Sequence, residues 1–106
     1  MAIEEITNPD VFRAALKEHK VVVADFHALW CGDCKMIDPF FKKHAADDKF
    51  KDVYFCKIDV DVLQDLSKEH AVKNMPTFIL FKDGERVEHI IEPKPPVLDA
   101  FLAKAL

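Results

Sequence analysis

The sequence predicts an α/β domain in which a central mixed β-sheet is covered by helices on both faces. A nearly continuous apolar run from Lys20 to Ala28 has the pattern of a strand buried on both faces. Strand, helix and strand alternate through the first half of the chain, which favours parallel pairing. A hairpin with Asp83-Gly84 at its turn then adds antiparallel strands, and a helix closes the chain.

The first two helices follow from their caps and their apolar spacing. The first begins after Asn8, which can cap it, has Pro9 at its first position and ends near His19. Its apolar face comprises Val11, Phe12, Ala15 and Leu16. The second helix follows the CGDC motif, and Pro39 in its interior should bend it. Its apolar residues at helical spacing are Met36, Ile37, Phe40 and Phe41.

The second half of the chain gives a strand, a short helix, the hairpin and the closing helix. Residues Val53 to Val60 form the strand, and the helix VLQDLSKEHAV follows it. That helix is expected to turn four residues inward: Val62, Leu63, Leu66 and Ala71. The hairpin is TFILFKDGERVEHII, and PPVLDAFLAKAL is an amphipathic helix with its prolines in the permissive first turn.

Length and charge limit the function classes. A chain of 106 residues, half of them hydrophobic, suits one domain over residues 1–106 that needs no disulfide framework or structural metal. Lys and Arg total 15 against 19 Asp and Glu, so nucleic acid is not an expected partner. The start is acidic rather than signal-like, and no apolar run reaches the length of a membrane span. We therefore expect a cytoplasmic monomer that binds neither nucleic acid nor membrane.

The Cys31-Gly32-Asp33-Cys34 motif at a helix start carries the chemistry. Unpaired N–H groups of the first turn, the helix dipole and Lys35 all favour a thiolate on Cys31. Cys34 lies about one turn later and can attack a mixed disulfide on Cys31, while Gly32 keeps the approach uncrowded. Half of a zinc site has the same spacing, but no second Cys-x-x-Cys or Cys/His pair follows, so no metal is expected. Inert packing is the other alternative.

Three stretches resemble the thioredoxin family, especially its eukaryotic cytosolic members: VVVADFHALWCGDCKMIDPFF, VYFCKIDVD and NMPTFILFKDGERV. The register holds over essentially the whole chain. The resemblance implies a thioredoxin fold and reduction of disulfides in substrate proteins. It also implies recharging by thioredoxin reductase with electrons from NADPH, and no bound cofactor beyond a redox-active Cys31–Cys34 disulfide. It makes Cys31 the nucleophile, Cys34 the resolving thiol, Asp25 a buried carboxylate that exchanges a proton with Cys34, and Pro76 a cis-proline facing the sulfurs.

Each of these residues also has a structural interpretation. Asp25 can be a hydrogen-bonded carboxylate at a strand end, and Pro76 can simply begin a strand. A cis Pro76 would leave the backbone of Met75 free to pair with an extended substrate. Trp30 offers a flat apolar surface beside the nucleophile or is part of the core.

For two further residues we expect a structural role rather than a chemical one. Cys56 is expected to be a small buried hydrophobic residue rather than a third redox centre. His27 is expected to be a packed or surface histidine rather than a titrating neighbour of the sulfurs. His27 and Leu29 both replace residues that are small in the family.

The chain departs from the family at two functional places. Asp33 replaces the proline of WCGPC, and its carboxylate should raise the pKa of Cys31. Glu92-Pro93 replaces a Gly-Ala pair beside the substrate groove, so a carboxylate and a rigid ring stand where small residues are usual. Glu92-Pro93 favours an alternative function, a redox-regulated binding or sensor module.

Overall fold

The computed structural model describes residues 3–106, which form a five-stranded mixed sheet between two layers of helices. The α/β class is confirmed. In chain order the elements are β1 (Glu4–Ile6), α1 (Pro9–Glu18), β2 (Val21–His27), α2 (Gly32–Ala45), a 3-10 helix (Asp48–Phe50), β3 (Tyr54–Asp59), α3 (Gln64–Glu69), β4 (Thr77–Lys82), β5 (Glu85–Ile91) and α4 (Pro95–Ala103). The strand order is β1-β3-β2-β4-β5.

Strand β2 is the centre of the sheet. It pairs in parallel with β3 and antiparallel with β4, and β1 and β5 form the two edges. Six of its seven residues are buried, as the apolar run predicts. Its carboxyl end delivers the chain into the start of α2, which is where open α/β sheets gather reactive groups.

The two faces of the sheet bury separate cores. On one face Val23 packs with residues of α2 and α4, including Phe41 and Leu98. On the other face Phe26 packs with residues of β1, α1, β3, α3 and β4, among them Phe12. Because side chains alternate along a strand, Asp25 follows Val23 onto the face that α2 covers. The placement of Asp25 behind the CGDC motif is thus a consequence of strand register.

The predicted hairpin and caps agree with the structure. Asp83 and Gly84 both have positive φ, 53° and 81°, as a two-residue hairpin turn of type I′ requires. Asn8 accepts a hydrogen bond from the Asp10 N–H at the start of α1, and prolines occupy the first turn of α4. Among residues 3–106 no helix is long and apolar enough to cross a membrane.

Some expected apolar faces are wrong. Helix α3 is shorter than expected, so Val62 precedes it and is 64% exposed, and Ala71 follows it with a positive φ of 57° and is also exposed. Val11 is half exposed on α1. Helix α2 buries Cys34, Ile37, Phe41 and Ala45, which leaves Met36 74% exposed and Phe40 partly exposed. Strand β1, whose first two residues are charged, was not predicted.

Candidate active site

The two cysteines of the CGDC motif form a disulfide at the start of α2. Cys31 is the N-cap residue, and its Sγ accepts a hydrogen bond from the Cys34 N–H at 3.1 Å. The two Cα atoms are 5.3 Å apart, and both side chains are almost fully buried. Donors at a helix N-terminus stabilise negative charge, so the same geometry favours a thiolate on Cys31 when the pair is reduced.

The segment before β4 lies against the same sulfur. The carbonyl oxygen of Met75 is 3.6 Å from Cys31 Sγ, and the Met75–Pro76 peptide bond is cis. The Pro76 carbonyl accepts a hydrogen bond of 2.8 Å from the Glu92 N–H, which ties the end of β5 to this segment. Three separated parts of the sequence therefore meet at the disulfide.

Trp30 is not part of the core. It is 68% exposed, immediately before Cys31, and its indole N–H donates a hydrogen bond of 2.8 Å to the Asp61 carboxylate. Leu29 is exposed beside it. The sequence reasoning missed Asp61, although the acidic pair of Asp59 and Asp61 at the end of β3 was a signal. The hydrogen bond fixes an apolar surface at the edge of the disulfide.

Gly32 and Asp33 form the exposed first turn of α2. A Cβ built on Gly32 would meet no heavy atom within 4 Å, so the space above this residue is open. The Asp33 carboxylate is exposed in the same turn. Substrate can therefore approach the disulfide over Gly32, past the negative charge of Asp33.

Glu92 and Pro93 share a shallow depression with Asp33. Its volume is about 250 Å³, and the wall between the two acidic residues is formed by Met36, Ile37, Phe40, Pro93, Lys94 and Pro95. Glu92 has a positive φ of 48°, a conformation that glycine adopts at no steric cost. The two departures from the family pattern thus lie at one place beside the sulfurs.

Asp25 is buried on β2, with 2% of its surface exposed. Burial raises its pKa from the ordinary 3.8 to about 7; Lys57 opposes this rise, whereas Asp38 and Glu5 add to it. Its Oδ1 has no hydrogen-bond partner within residues 3–106. The structural interpretation, a hydrogen-bonded carboxylate at a strand end, therefore finds no support at Oδ1. A carboxyl group with this pKa can exchange a proton near neutral pH.

Lys57 links Asp25 to a charged group on α2. Its backbone is the partner of Asp25 in the parallel β2–β3 register, and its Nζ lies 2.9 Å from Asp38 Oδ1. Asp38 also contacts Lys42 at 2.9 Å. Burial raises the pKa of Asp38, but hydrogen bonds from Lys57 and Lys42 outweigh it and hold this pKa below the ordinary value. The sequence reasoning did not single out Lys57 or Asp38.

Cys56 does not belong to the site chemically. It is fully buried in β3, its thiol is 3.8 Å from the Val23 carbonyl, and burial, with Asp25 contributing, raises its pKa. A thiol in this environment is inert at neutral pH. Within the part of the chain that the structure describes, no three His, Cys, Asp or Glu residues are arranged to hold a metal ion.

The largest cleft lies away from this chemistry. Its volume is about 880 Å³, and it is lined by the end of α1, the start of β2 and the β4–β5 turn, at the opposite end of β2 from the sulfurs. Arg13 and Glu69, which line it, are already paired at 3.0 Å. The disulfide, and not this cleft, is therefore the candidate active site.

Comparisons with known proteins agree with this geometry. The family model described as Thioredoxin matches residues 3–104. The chain is 43% identical over 103 residues to Thioredoxin-2 of Pyricularia oryzae, covering 97% of this chain and 59% of that protein. It is 34% identical over 104 residues to a thioredoxin of Coprinus comatus, covering 98% of each.

Solved structures extend the comparison to the fold. A thioredoxin of Malassezia sympodialis superimposes with a TM-score of 0.92 at 36% identity, covering 98% of this chain and 90% of that one. Mitochondrial thioredoxin 3 of Saccharomyces cerevisiae, in its oxidized form, gives a TM-score of 0.88 at 40% identity and covers 96% and 94%. A chain from a study of the thiol-resolving mechanism of a yeast mitochondrial 1-Cys peroxiredoxin gives 0.88 at 39%, covering 97% and 95%.

Proposed function

We propose that this chain, which belongs to the thioredoxin family, reduces disulfides in other proteins and is recharged by a thioredoxin reductase with electrons from NADPH. The chain is a thiol–disulfide oxidoreductase, and its redox group is the Cys31–Cys34 disulfide. One observation carries the proposal: this disulfide caps α2 with Cys31 Sγ accepting the Cys34 N–H, directly beside the Met75 carbonyl. A capping sulfur that also lies beside the backbone of the segment before β4 is arranged for exchange with another chain's disulfide.

The first step is the attack of the Cys31 thiolate on a substrate disulfide. A new S–S bond forms between Cys31 and one substrate sulfur, and the other substrate sulfur leaves as a thiolate that takes up a proton. The N–H donors at the start of α2 hold the attacking charge, as the 3.1 Å contact to Cys31 Sγ indicates. The attack leaves substrate and protein joined in a mixed disulfide.

The second step releases the substrate. Cys34 loses its proton and its thiolate attacks Cys31 Sγ, so that the Cys31–Cys34 bond forms and the second substrate sulfur leaves as a thiolate. Asp25 has a pKa of about 7 and is a suitable acceptor for the Cys34 proton near neutral pH. The sum of both steps oxidises the protein by two electrons and reduces one substrate disulfide to two thiols.

The surface around the sulfurs sets which substrates fit. Trp30 gives an apolar contact, and the backbone of Met75 offers pairing to an extended segment. Asp33 and Glu92 share a depression beside this surface and disfavour acidic segments. We further propose that the protein acts in the cytoplasm as a monomer. The acidic balance of the chain and its single Cys pair support that placement.

The test is NADPH-coupled reduction of insulin disulfides with a thioredoxin reductase, repeated with dithiothreitol in place of the reductase. We expect turnover with both electron sources, lost in Cys34→Ser because the mixed disulfide is no longer resolved. Cys56→Ala is the matched control, since it removes a cysteine that lies outside the site and should keep turnover. Turnover with dithiothreitol but none with the reductase would contradict the recharging route and leave the exchange chemistry standing. No turnover with either would contradict the proposed function.

A redox-regulated binding module is the second candidate. It is favoured by Glu92, which has a positive φ of 48° and brings a carboxylate beside Asp33 where the family has small residues. Such a module would hold a partner in one oxidation state without turnover. Capture of a partner that persists in Cys31→Ser, which cannot form a mixed disulfide, but depends on the oxidation state of wild type, would favour it over the reductase.

A further inference from the structure

His27 is a buried imidazole with an unpaired nitrogen beside the active site. Two buried side-chain atoms within residues 3–106 have no hydrogen-bond partner: Asp25 Oδ1 and His27 Nε2. The two residues are two positions apart on β2, so their side chains project from the same face of the sheet, the face that α2 covers. Buried polar atoms are nearly always hydrogen-bonded, and two such exceptions on one face need a common explanation.

His27 and the resolving cysteine border one small cleft. His27 and Cys34 line the same opening of about 170 Å³, together with Glu5, Ala28, Leu29, Lys35, Asp38 and Lys57. This volume is large enough to admit several water molecules, and the polar side chains supply the partners that such waters need. Both residues therefore border a space that water can enter, and the His27 Nε2 atom itself is buried.

Charged groups surround this imidazole from three elements. From β1, Glu5 Oε2 lies 3.6 Å from His27 Nε2. From β3 come Lys57 and the backbone neighbour of His27, Asp59. Helix α2 contributes Lys35 and Asp38 to the cleft. The carboxylate of Glu5 is the group nearest to the unpaired nitrogen and is half exposed, so it leads from the buried imidazole toward solvent.

We propose that His27 relays the Cys34 proton between the cleft and solvent during the resolving step. This inference rests on the proposed function. The Asp25 carboxyl group is almost completely buried, whereas His27 is two residues nearer the carboxyl end of β2 and borders a half-exposed carboxylate. Histidine is the side chain whose charge changes most readily near neutral pH. His27 thus offers a second proton acceptor on the same face of β2 as Asp25.

The step balances as follows. The Cys34 thiol gives its proton through water in the cleft to Nε2 of His27, and the imidazolium is stabilised by the Glu5 carboxylate. The Cys34 thiolate attacks Cys31 Sγ, the intramolecular S–S bond forms, and the substrate sulfur leaves with the electron pair of the broken bond. The leaving thiolate takes a proton from solvent, and His27 returns its proton to solvent past Glu5.

The experiment separates the two exchange steps in a single turnover. Reduced protein is mixed with an excess of the aromatic disulfide dithionitrobenzoate, which releases one thionitrobenzoate when Cys31 attacks and a second when Cys34 resolves the mixed disulfide. The first phase scales with reagent concentration and the second does not, so the two rates are distinguishable. Both are followed over about pH 5.5 to 8.5, the range in which imidazole groups titrate.

His27→Gln is the main variant, because glutamine keeps a polar end at the position of Nε2 without titrating. We expect the second phase to slow about tenfold near neutral pH and to lose part of its pH dependence. This effect falls below the 10²–10⁴-fold range of general acid–base groups because Asp25 remains. The first phase should keep its rate. His89→Gln, which removes an exposed histidine of β5, is the matched control and should change neither phase.

A second variant covers the case in which His27→Gln does not fold, as judged by urea unfolding. Glu5→Gln changes a half-exposed side chain and removes the carboxylate beside Nε2, and we expect it to slow the second phase about twofold to threefold. A second phase that keeps its rate and pH profile in the folded variants overturns the proposal, as does equal slowing of both phases. A wild-type protein that releases only the first thionitrobenzoate would instead contradict the proposed function itself.

Discussion

Replacing Asp25 with asparagine should stabilise the protein, and the gain should grow with pH. In the folded state burial raises the pKa of Asp25 from 3.8 to about 7. At 1.36 kcal/mol for each pKa unit, this difference corresponds to about 4 kcal/mol between the protonated and ionised forms. Asparagine has nearly the same shape and carries no charge. The variant therefore avoids the cost of ionising a carboxyl group that is almost fully buried.

The direction follows from proton binding. Between about pH 4 and pH 7 the folded state keeps a proton on Asp25 that the unfolded state has released, so wild-type stability falls as pH rises. The stability that the protonated carboxyl group provides is complete below pH 3.8 and is lost as pH passes about 7. We expect Asp25→Asn to equal wild type near pH 4 and to exceed it by about 2–4 kcal/mol at pH 8.

The assay is urea unfolding of the oxidised proteins at a series of pH values, with the slope in urea checked for constancy. The difference in unfolding free energy between variant and wild type separates the effect of Asp25 from the effects of other carboxylates. Asp38 is the main one, because its pKa is lowered in the folded state: its ionised form stabilises the fold at neutral pH, and this stabilisation is lost in acid. Asp52→Asn, which removes an exposed carboxylate outside the site, is the matched control. A gain from Asp25→Asn that is the same at every pH would refute the reasoning.

Three other changes test the surroundings of the sulfurs. Asp33→Pro removes a carboxylate from the first turn of α2, where proline is tolerated, and should lower the pKa of Cys31 because a nearby negative charge is lost. The expected result is faster alkylation of Cys31 near neutral pH, and equal or slower alkylation would count against it. Glu92 has a positive φ of 48°, which glycine adopts without strain, so Glu92→Gly should raise the free energy of unfolding by about 0.5–1 kcal/mol. Glu92→Ala is the control and should give no such gain, and a glycine variant less stable than wild type would contradict the strain argument. Lys57→Met removes the cation that lowers the Asp25 pKa, so this pKa should rise above about 7. NMR titration of the Asp25 carboxyl carbon measures it, and an unchanged midpoint would contradict the electrostatic role of Lys57.

The sequence predicts the sheet and the sulfur pair because both depend on local patterns. The apolar run of β2 is nearly continuous. The cap of α1 needs a residue such as Asn8, and the hairpin turn needs residues such as Asp83 and Gly84 that tolerate a positive φ. Strand β1 has no comparable signal. It is three residues long, begins with Glu4 and Glu5, and forms because β3 offers it a parallel edge. Pairing with β3 determines whether this segment becomes a strand, and the residues of the segment alone do not predict it.

The charged residues behind the sulfurs are predictable only in part. Asp25 stands out as a carboxylate in an apolar run, but Lys57 and Asp38 have ordinary positions on a strand and a helix. They become neighbours of the site because β3 is parallel to β2 and α2 lies across both, which brings Lys57 Nζ within 2.9 Å of Asp38. His27 was interpreted as a packed or surface histidine, and it is buried. What the sequence does not show is that its Nε2 is left unpaired.

The unpaired groups of β2 carry a cost that the fold alone does not explain. Most buried polar atoms recover the loss of water by hydrogen bonding within the protein, yet Asp25 Oδ1 and His27 Nε2 have no such partner among residues 3–106. Both lie on the face of β2 that α2 covers, and the cleft beside His27 is lined by Cys34. Replacing Asp25 or His27 with an apolar or neutral side chain should therefore both stabilise the protein and slow the resolving step. A stabilised variant with a normal resolving rate would show instead that stability and proton transfer are independent at this position.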